Sequence, residues 1–102
     1  MTQTGATAEA FVVKPGRDIV ISYVETFRRE LLTLIDQGHL NLVIDLDGVS
    51  MIDSKGLAIF MLCYKSLSAK GGKLTVLTND QDLRYLFKVM RMDEMFTVTE
   101  SL

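Results

Sequence analysis

The chain has 102 residues, 48% of them hydrophobic and 24% charged, and carries a net charge of −2. This length suits one domain with a core of its own and leaves no room for a second. The near-neutral charge, with Lys and Arg scattered rather than clustered, argues against nucleic acid as the main partner.

The single cysteine, Cys63, cannot form an internal disulfide, which makes a reducing cytoplasm the simplest compartment. The opening Met1-Thr2-Gln3-Thr4-Gly5 lacks the charged and apolar regions of a signal peptide. The longest apolar run, Leu57 to Tyr64, falls far short of the roughly 20 residues that a membrane-spanning helix needs. A soluble cytoplasmic protein without membrane insertion is expected.

Residues 1 to 8 are small and polar and are expected to lack fixed structure. Phe11-Val12-Val13 is a short strand closed by Pro15-Gly16. Val20, Val24, Phe27, Leu31 and Leu34 then recur at three- and four-residue steps, the signature of one helix face. Asp18 or Ser22 could cap this helix and Gly38 could stop it. Asn41 to Leu46 reads as a buried strand, Asp47-Gly48 as a turn and Val49 to Ile52 as an extended link. A second helix is predicted from Ser54 to Ala69, ending at Gly71-Gly72, and Lys73 to Leu77 is the next strand. Thr78-Asn79-Asp80-Gln81 has the form of a capping box, opening a helix with Leu83, Leu86, Phe87 and Met90 on one side. Phe96 to Thr99 closes the chain as a short strand.

This alternation predicts an α/β fold: one small domain over residues 1–102, with a mixed, mostly parallel sheet of about four strands and helices packed on it. In such sheets the functional surface lies where strands end and helices begin. The link from Asp47 to Gly56 occupies that place.

Ser54 stands in the first turn of the second helix, where unpaired backbone N–H groups and the helix dipole tolerate an anion. Asp53 and Ser54 both suit plain capping as well. Asp45, Asp47 and Asp53 could hint at a Mg²⁺ site, but they read better as turn and strand-end residues. With one histidine and one cysteine no common catalytic triad assembles, and no Gly-rich phosphate loop is present, so no enzyme, cofactor or metal is expected. Cys63, mid-helix in apolar company, should be inert. His39 should be exposed, and Met90, Met92 and Met95 should fill gaps around the third helix.

Asp53-Ser54-Lys55-Gly56-Leu57, after the strand Val43 to Leu46, resembles the signature of the STAS-domain anti-sigma-factor antagonists, Asp-Ser-Ser/Thr-Gly-Leu opening a helix. The likeness continues through Tyr64-Lys65, Gly71-Gly72 and Leu86-Phe87. It implies a bacterial regulator of transcription that binds an anti-sigma factor. That partner would also be a serine kinase of the histidine-kinase-like ATPase type, which phosphorylates Ser54 and so abolishes binding, and a phosphatase would restore it. Lys55 departs from the usual Ser or Thr: it could pair with a phosphate on Ser54 or repel the kinase. Gly16-Arg17-Asp18-Ile19 is one residue shorter than the family's entry to its first helix. Asp18 therefore stands either as the family's kinase-contacting aspartate or as a simple N-cap.

The second helix is apolar all round for two turns. Either Ile59 and Leu62 form, with Asp18, Asp53, Ser54, Lys55 and Gly56, a surface for a partner or a second copy of the chain, or the first helix covers them. The alternative function is a STAS module that is not phosphorylated, acting as a scaffold in a sensory complex or a subunit of a lipid transporter.

Overall fold

A computed structural model describes Thr2–Gln3 and residues 10–102. The expectation of an unstructured start falls, apart from Thr2 and Gln3, on residues outside those described. The elements are β1 (Thr2–Gln3), β2 (Phe11–Lys14), α1 (Ile21–Asp36), β3 (Asn41–Asp45), α2 (Ser54–Ala69), β4 (Lys73–Leu77), α3 (Gln81–Val89), a 3₁₀ turn (Met92–Glu94) and β5 (Thr97–Thr99).

The strands lie side by side in chain order, β1-β2-β3-β4-β5. β1 is antiparallel to β2, and the four strands β2 to β5 are parallel. Crossovers between parallel neighbours are right-handed almost without exception, so winding in one direction places all three helices on one face. The register agrees. Val13, Ile44 and Val76 are partners across the sheet and belong to the core, whereas the row Val12, Val43, Thr75 and Thr97 points to the other face.

α1 buries Tyr23, Phe27, Leu31 and Ile35, a stripe at four-residue steps. Phe27 and Leu31 were expected there. Val20 precedes the helix, and Val24 and Leu34, one residue round from Tyr23 and Ile35, flank the stripe half-buried. α2 runs over the predicted span and buries Gly56, Leu57, Ile59, Phe60, Cys63 and Leu67. Phe60 centres the core: its ring lies 6.0 Å from Phe27, 5.3 Å from Phe87 and 6.5 Å from Phe96, so one side chain ties three helices and the approach to β5 together.

Four local expectations need correction. The cap of α3 is Asp80, whose Oδ1 accepts the N–H of Asp82 (2.9 Å) and Leu83 (3.1 Å); Thr78 instead accepts the Asp80 N–H (3.1 Å). An aspartate one residue before a helix reaches N2 and N3, so the cap lies two residues later than predicted. With Leu83 at N3 it is a plain N-cap without the reciprocal bond of a capping box. Of the three methionines only Met92 is buried; Met90 and Met95 are exposed. His39 is half-buried, its ring 4.3 Å from that of Phe11. The apolar surplus of α2 is not an open surface at Ile59, which is 8% exposed, because α1 packs alongside α2; Leu62 is half-buried. Ile59 therefore contributes to the core and not to a docking surface.

Candidate functional site

The loops that precede α1 and α2 run parallel and are joined by hydrogen bonds. Ile19 pairs with Ile52: the Ile19 N–H donates to the Met51 carbonyl at 3.0 Å and the Asp53 N–H donates to the Ile19 carbonyl at 3.2 Å. Both isoleucines are buried, so this short ladder has apolar anchors on both sides. It places the mouths of two helices next to each other.

Asp53 lies between them. Its Oδ1 accepts the N–H of Gly56 at 2.8 Å, the ordinary cap of α2. Its Oδ2 accepts the N–H of Ile21 at 2.9 Å, the first residue of α1. The residue preceding α1, Val20, has no side chain able to cap, so α1 takes its cap from 32 positions along the chain. Neither Asp18 nor Ser22 performs that task.

Asp18 faces the other loop. Its Oδ1 accepts the N–H of Ser50 (2.9 Å), the hydroxyl of Ser50 (3.1 Å) and the N–H of Met51 (3.1 Å). The Ser50 N–H, with help from its hydroxyl and from the Met51 N–H, holds the Asp18 carboxyl below the usual aspartate range. A lowered carboxyl contributes stability that is complete above its unfolded pKa of about 3.9 and is lost as pH falls through the lowered folded value. Acidification of wild type below about pH 4 is therefore expected to loosen the Ser50–Met51 loop, read as faster amide exchange there. Asp18→Ala should show loose loop amides already at pH 7, and equal protection in the two proteins at pH 7 would contradict the clamp.

Gly56 explains why this segment needs glycine. A Cβ there would run into the Ile19 carbonyl oxygen and would stand 2.8 Å from Cγ2 of Ile52. The first turn of α2 thus presses directly on the paired loops, and no larger residue leaves room.

Ser54 and Lys55, the first two residues of α2, are both exposed. The Ser54 side chain takes no part in the cap, which Asp53 provides. The site therefore brings Asp53, Ser54, Lys55 and Gly56 together, with Asp18 supporting the loop just before them. Ile59 and Leu62 do not join it. The roles of Ile19, Ile21 and Ser50 carry no local signal, because each depends on a bond to a residue more than thirty positions away.

The acidic group reads as turn chemistry. The Asp45 carboxylate accepts the Asp47 N–H at 3.0 Å, and Asp47 pairs with Lys14 at 3.0 Å. Among the described residues no group of three or more His, Cys, Asp or Glu is placed to hold a metal ion. Cys63 is 1% exposed, and burial pushes its thiol up to about 12. Among the described residues no helix is long and apolar enough to cross a membrane.

Four parallel strands wound in one direction, with helices on one face and an Asp-Ser-x-Gly-Leu helix mouth at the carboxyl edge, make up the arrangement of a STAS domain. The sequence profile of the STAS domain matches residues 2–102, and the chain belongs to that family. Three solved structures are similar to it. A Thermotoga maritima protein described as a candidate anti-sigma factor antagonist superposes with a TM-score of 0.92 at 16% identity, over 99% of this chain and 86% of that one. An anti-sigma factor antagonist from Mycobacterium paratuberculosis gives 0.80 at 20%, over 99% and 86%. The Bacillus cell fate determinant SpoIIAA in its phosphorylated form gives 0.74 at 20%, over 95% and 88%. At these identities the likeness is one of fold.

Proposed function

We propose that this chain is an anti-sigma-factor antagonist that binds a kinase-type anti-sigma factor and is switched off by phosphorylation of Ser54. One observation carries the reading: Ser54 is exposed at a helix mouth whose structural work is done by its neighbours. Asp53 caps both helices and Gly56 fits the close contact, so the Ser54 hydroxyl is free for chemistry. A kinase can reach it, and the added dianion sits at the positive end of α2, where it is tolerated.

Modification then acts by exclusion. About −1.5 to −2 charges are added to a surface that the partner must cover. A hundredfold loss of affinity requires only ~2.7 kcal/mol, and one charge stranded in an interface can cost several. The cytoplasm, a phosphatase that resets the switch and the absence of catalytic activity in the chain itself belong to the same reading.

The test is incubation with the histidine-kinase-like anti-sigma factor encoded in the same genome and ATP, followed by mass spectrometry. One phosphate on wild type, located to Ser54 and missing from Ser54→Ala, is the expected result. No phosphate on either would favour a STAS module that works as a scaffold without modification.

A further inference from the structure

The loops before α1 and α2 are joined by hydrogen bonds that pass from one loop to the other, each sharing a residue with the next. The N–H groups of Ser50 and Met51 donate to Asp18 at 2.9 and 3.1 Å. The Met51 carbonyl accepts the N–H of Ile19 at 3.0 Å, and the Ile19 carbonyl accepts that of Asp53 at 3.2 Å. The Asp53 carboxylate in turn accepts the N–H of Ile21 at 2.9 Å. Each loop lends the other one carboxylate, and the two carboxylates close opposite ends of a short backbone ladder. Residues 18–21 and 50–53 form a zipper.

Such a zipper has few ways to open in part. Ile19 and Ile52 are buried at its centre, and Gly56 packs against the Ile19 carbonyl, so no tooth swings out alone. Segments tied into one strip with common anchors open together, as cooperative units do in local unfolding. The far end of the strip meets both helices, since Ile21 is the first residue of α1 and Ser54 the first of α2. Asp53 and Ser54 are consecutive, so a phosphate on Ser54 stands beside the carboxylate that caps α1. Like charges at that range repel, which weakens the hold of Asp53 on Ile21. The attraction of the dianion to the positive end of α2 offsets the loss for the whole domain, and the change stays in the loops.

We propose that residues 18–21 and 50–53 open and close as one unit, and that a dianion on Ser54 shifts this unit toward its open form. The start of α1 thereby senses the state of α2. The proposal deepens the reading of Ser54 as the modified residue and rests on it for the trigger.

Amide hydrogen exchange at neutral pH, followed residue by residue by NMR, tests it on four proteins. These are wild type, Asp18→Ala, the milder Asp18→Asn, and a chain with phosphoserine incorporated at position 54 during synthesis. Asp18 bonds to Ser50 and Met51, yet Asp18→Ala should also speed exchange of the Ile21 and Asp53 amides at the far end. About fivefold is expected, the factor that one lost cap supports, with Asp18→Asn smaller in the same direction. Phosphoserine should speed exchange about fivefold at Ile21, and at Ser50 and Met51 with it. The amides of Ile44 and Val76, in the sheet, should keep their wild-type rates throughout. Loosening of Ser50 and Met51 alone in Asp18→Ala would make the two ends independent and overturn the inference. So would an Ile21 amide indifferent to phosphoserine, or acceleration of Ile44 and Val76 by the same factor, which marks general destabilisation. The kinase reaction separates the two readings. Faster Ile21 exchange with phosphoserine, but no transfer of phosphate to Ser54 by the histidine-kinase-like anti-sigma factor, keeps the zipper and removes the switch. Transfer to Ser54 with Ile21 unchanged keeps the switch and overturns the zipper.

Discussion

Alanine at position 56 is expected to destabilise the domain by about 3 kcal/mol, the upper range for forcing an extra carbon into a packed site. The added methyl meets the Ile19 carbonyl, which is fixed by the Asp53 N–H, and Cγ2 of buried Ile52. Neither can yield without parting the loops that join the two helix mouths. For a domain of this size the loss corresponds to a fall in melting temperature of roughly 12–24 °C. Differential scanning calorimetry measures it. A fall below about 4 °C would mean that the loops separate easily, and the tight contact would then not explain the glycine.

Removal of the Asp53 carboxylate is the second large effect. Asp53→Ala frees the N–H of Gly56 and that of Ile21 at once. A lost helix cap costs typically about 1 kcal/mol, and here two helices lose theirs, so about 2 kcal/mol is expected. Asp53→Asn keeps one acceptor oxygen and should fall about half-way between. Denaturant titration of the three proteins separates these values, provided the slope of the transition is unchanged. If Asp53→Ala and Asp53→Asn lose the same amount, the carboxylate does not bridge two helices in solution.

The sequence exposed those features that repeat locally. The strands β3 and β4 and the helix α2 followed from apolar runs, a glycine stop and a change of period, and the alternation of elements led directly to a parallel sheet. The candidate site was legible because Asp53, Ser54 and Gly56 are close in sequence. What stayed hidden depends on distant segments. The start of α1 could not be placed from Asp18 or Ser22, since its cap arrives from Asp53, and the apolar residues at Val20, Val24 and Leu34 did not reveal that the buried stripe runs through Tyr23, Phe27, Leu31 and Ile35. Asp18 carries no local mark of its bonds to Ser50 and Met51. The apolar surplus of α2 was real, but composition could not show that α1 covers Ile59 while Ile21, Met51, Tyr85 and Val89 are left exposed.

In the proposed switch a charge on one hydroxyl controls docking while the fold stays intact. Stoichiometrically phosphorylated protein and unmodified protein are titrated in parallel into the anti-sigma factor. At least a hundredfold weaker binding is expected after modification. The melting temperature should be unchanged or slightly raised, since the dianion meets the positive end of α2. Equal affinity of the two forms, or loss of binding accompanied by unfolding, would contradict the switch.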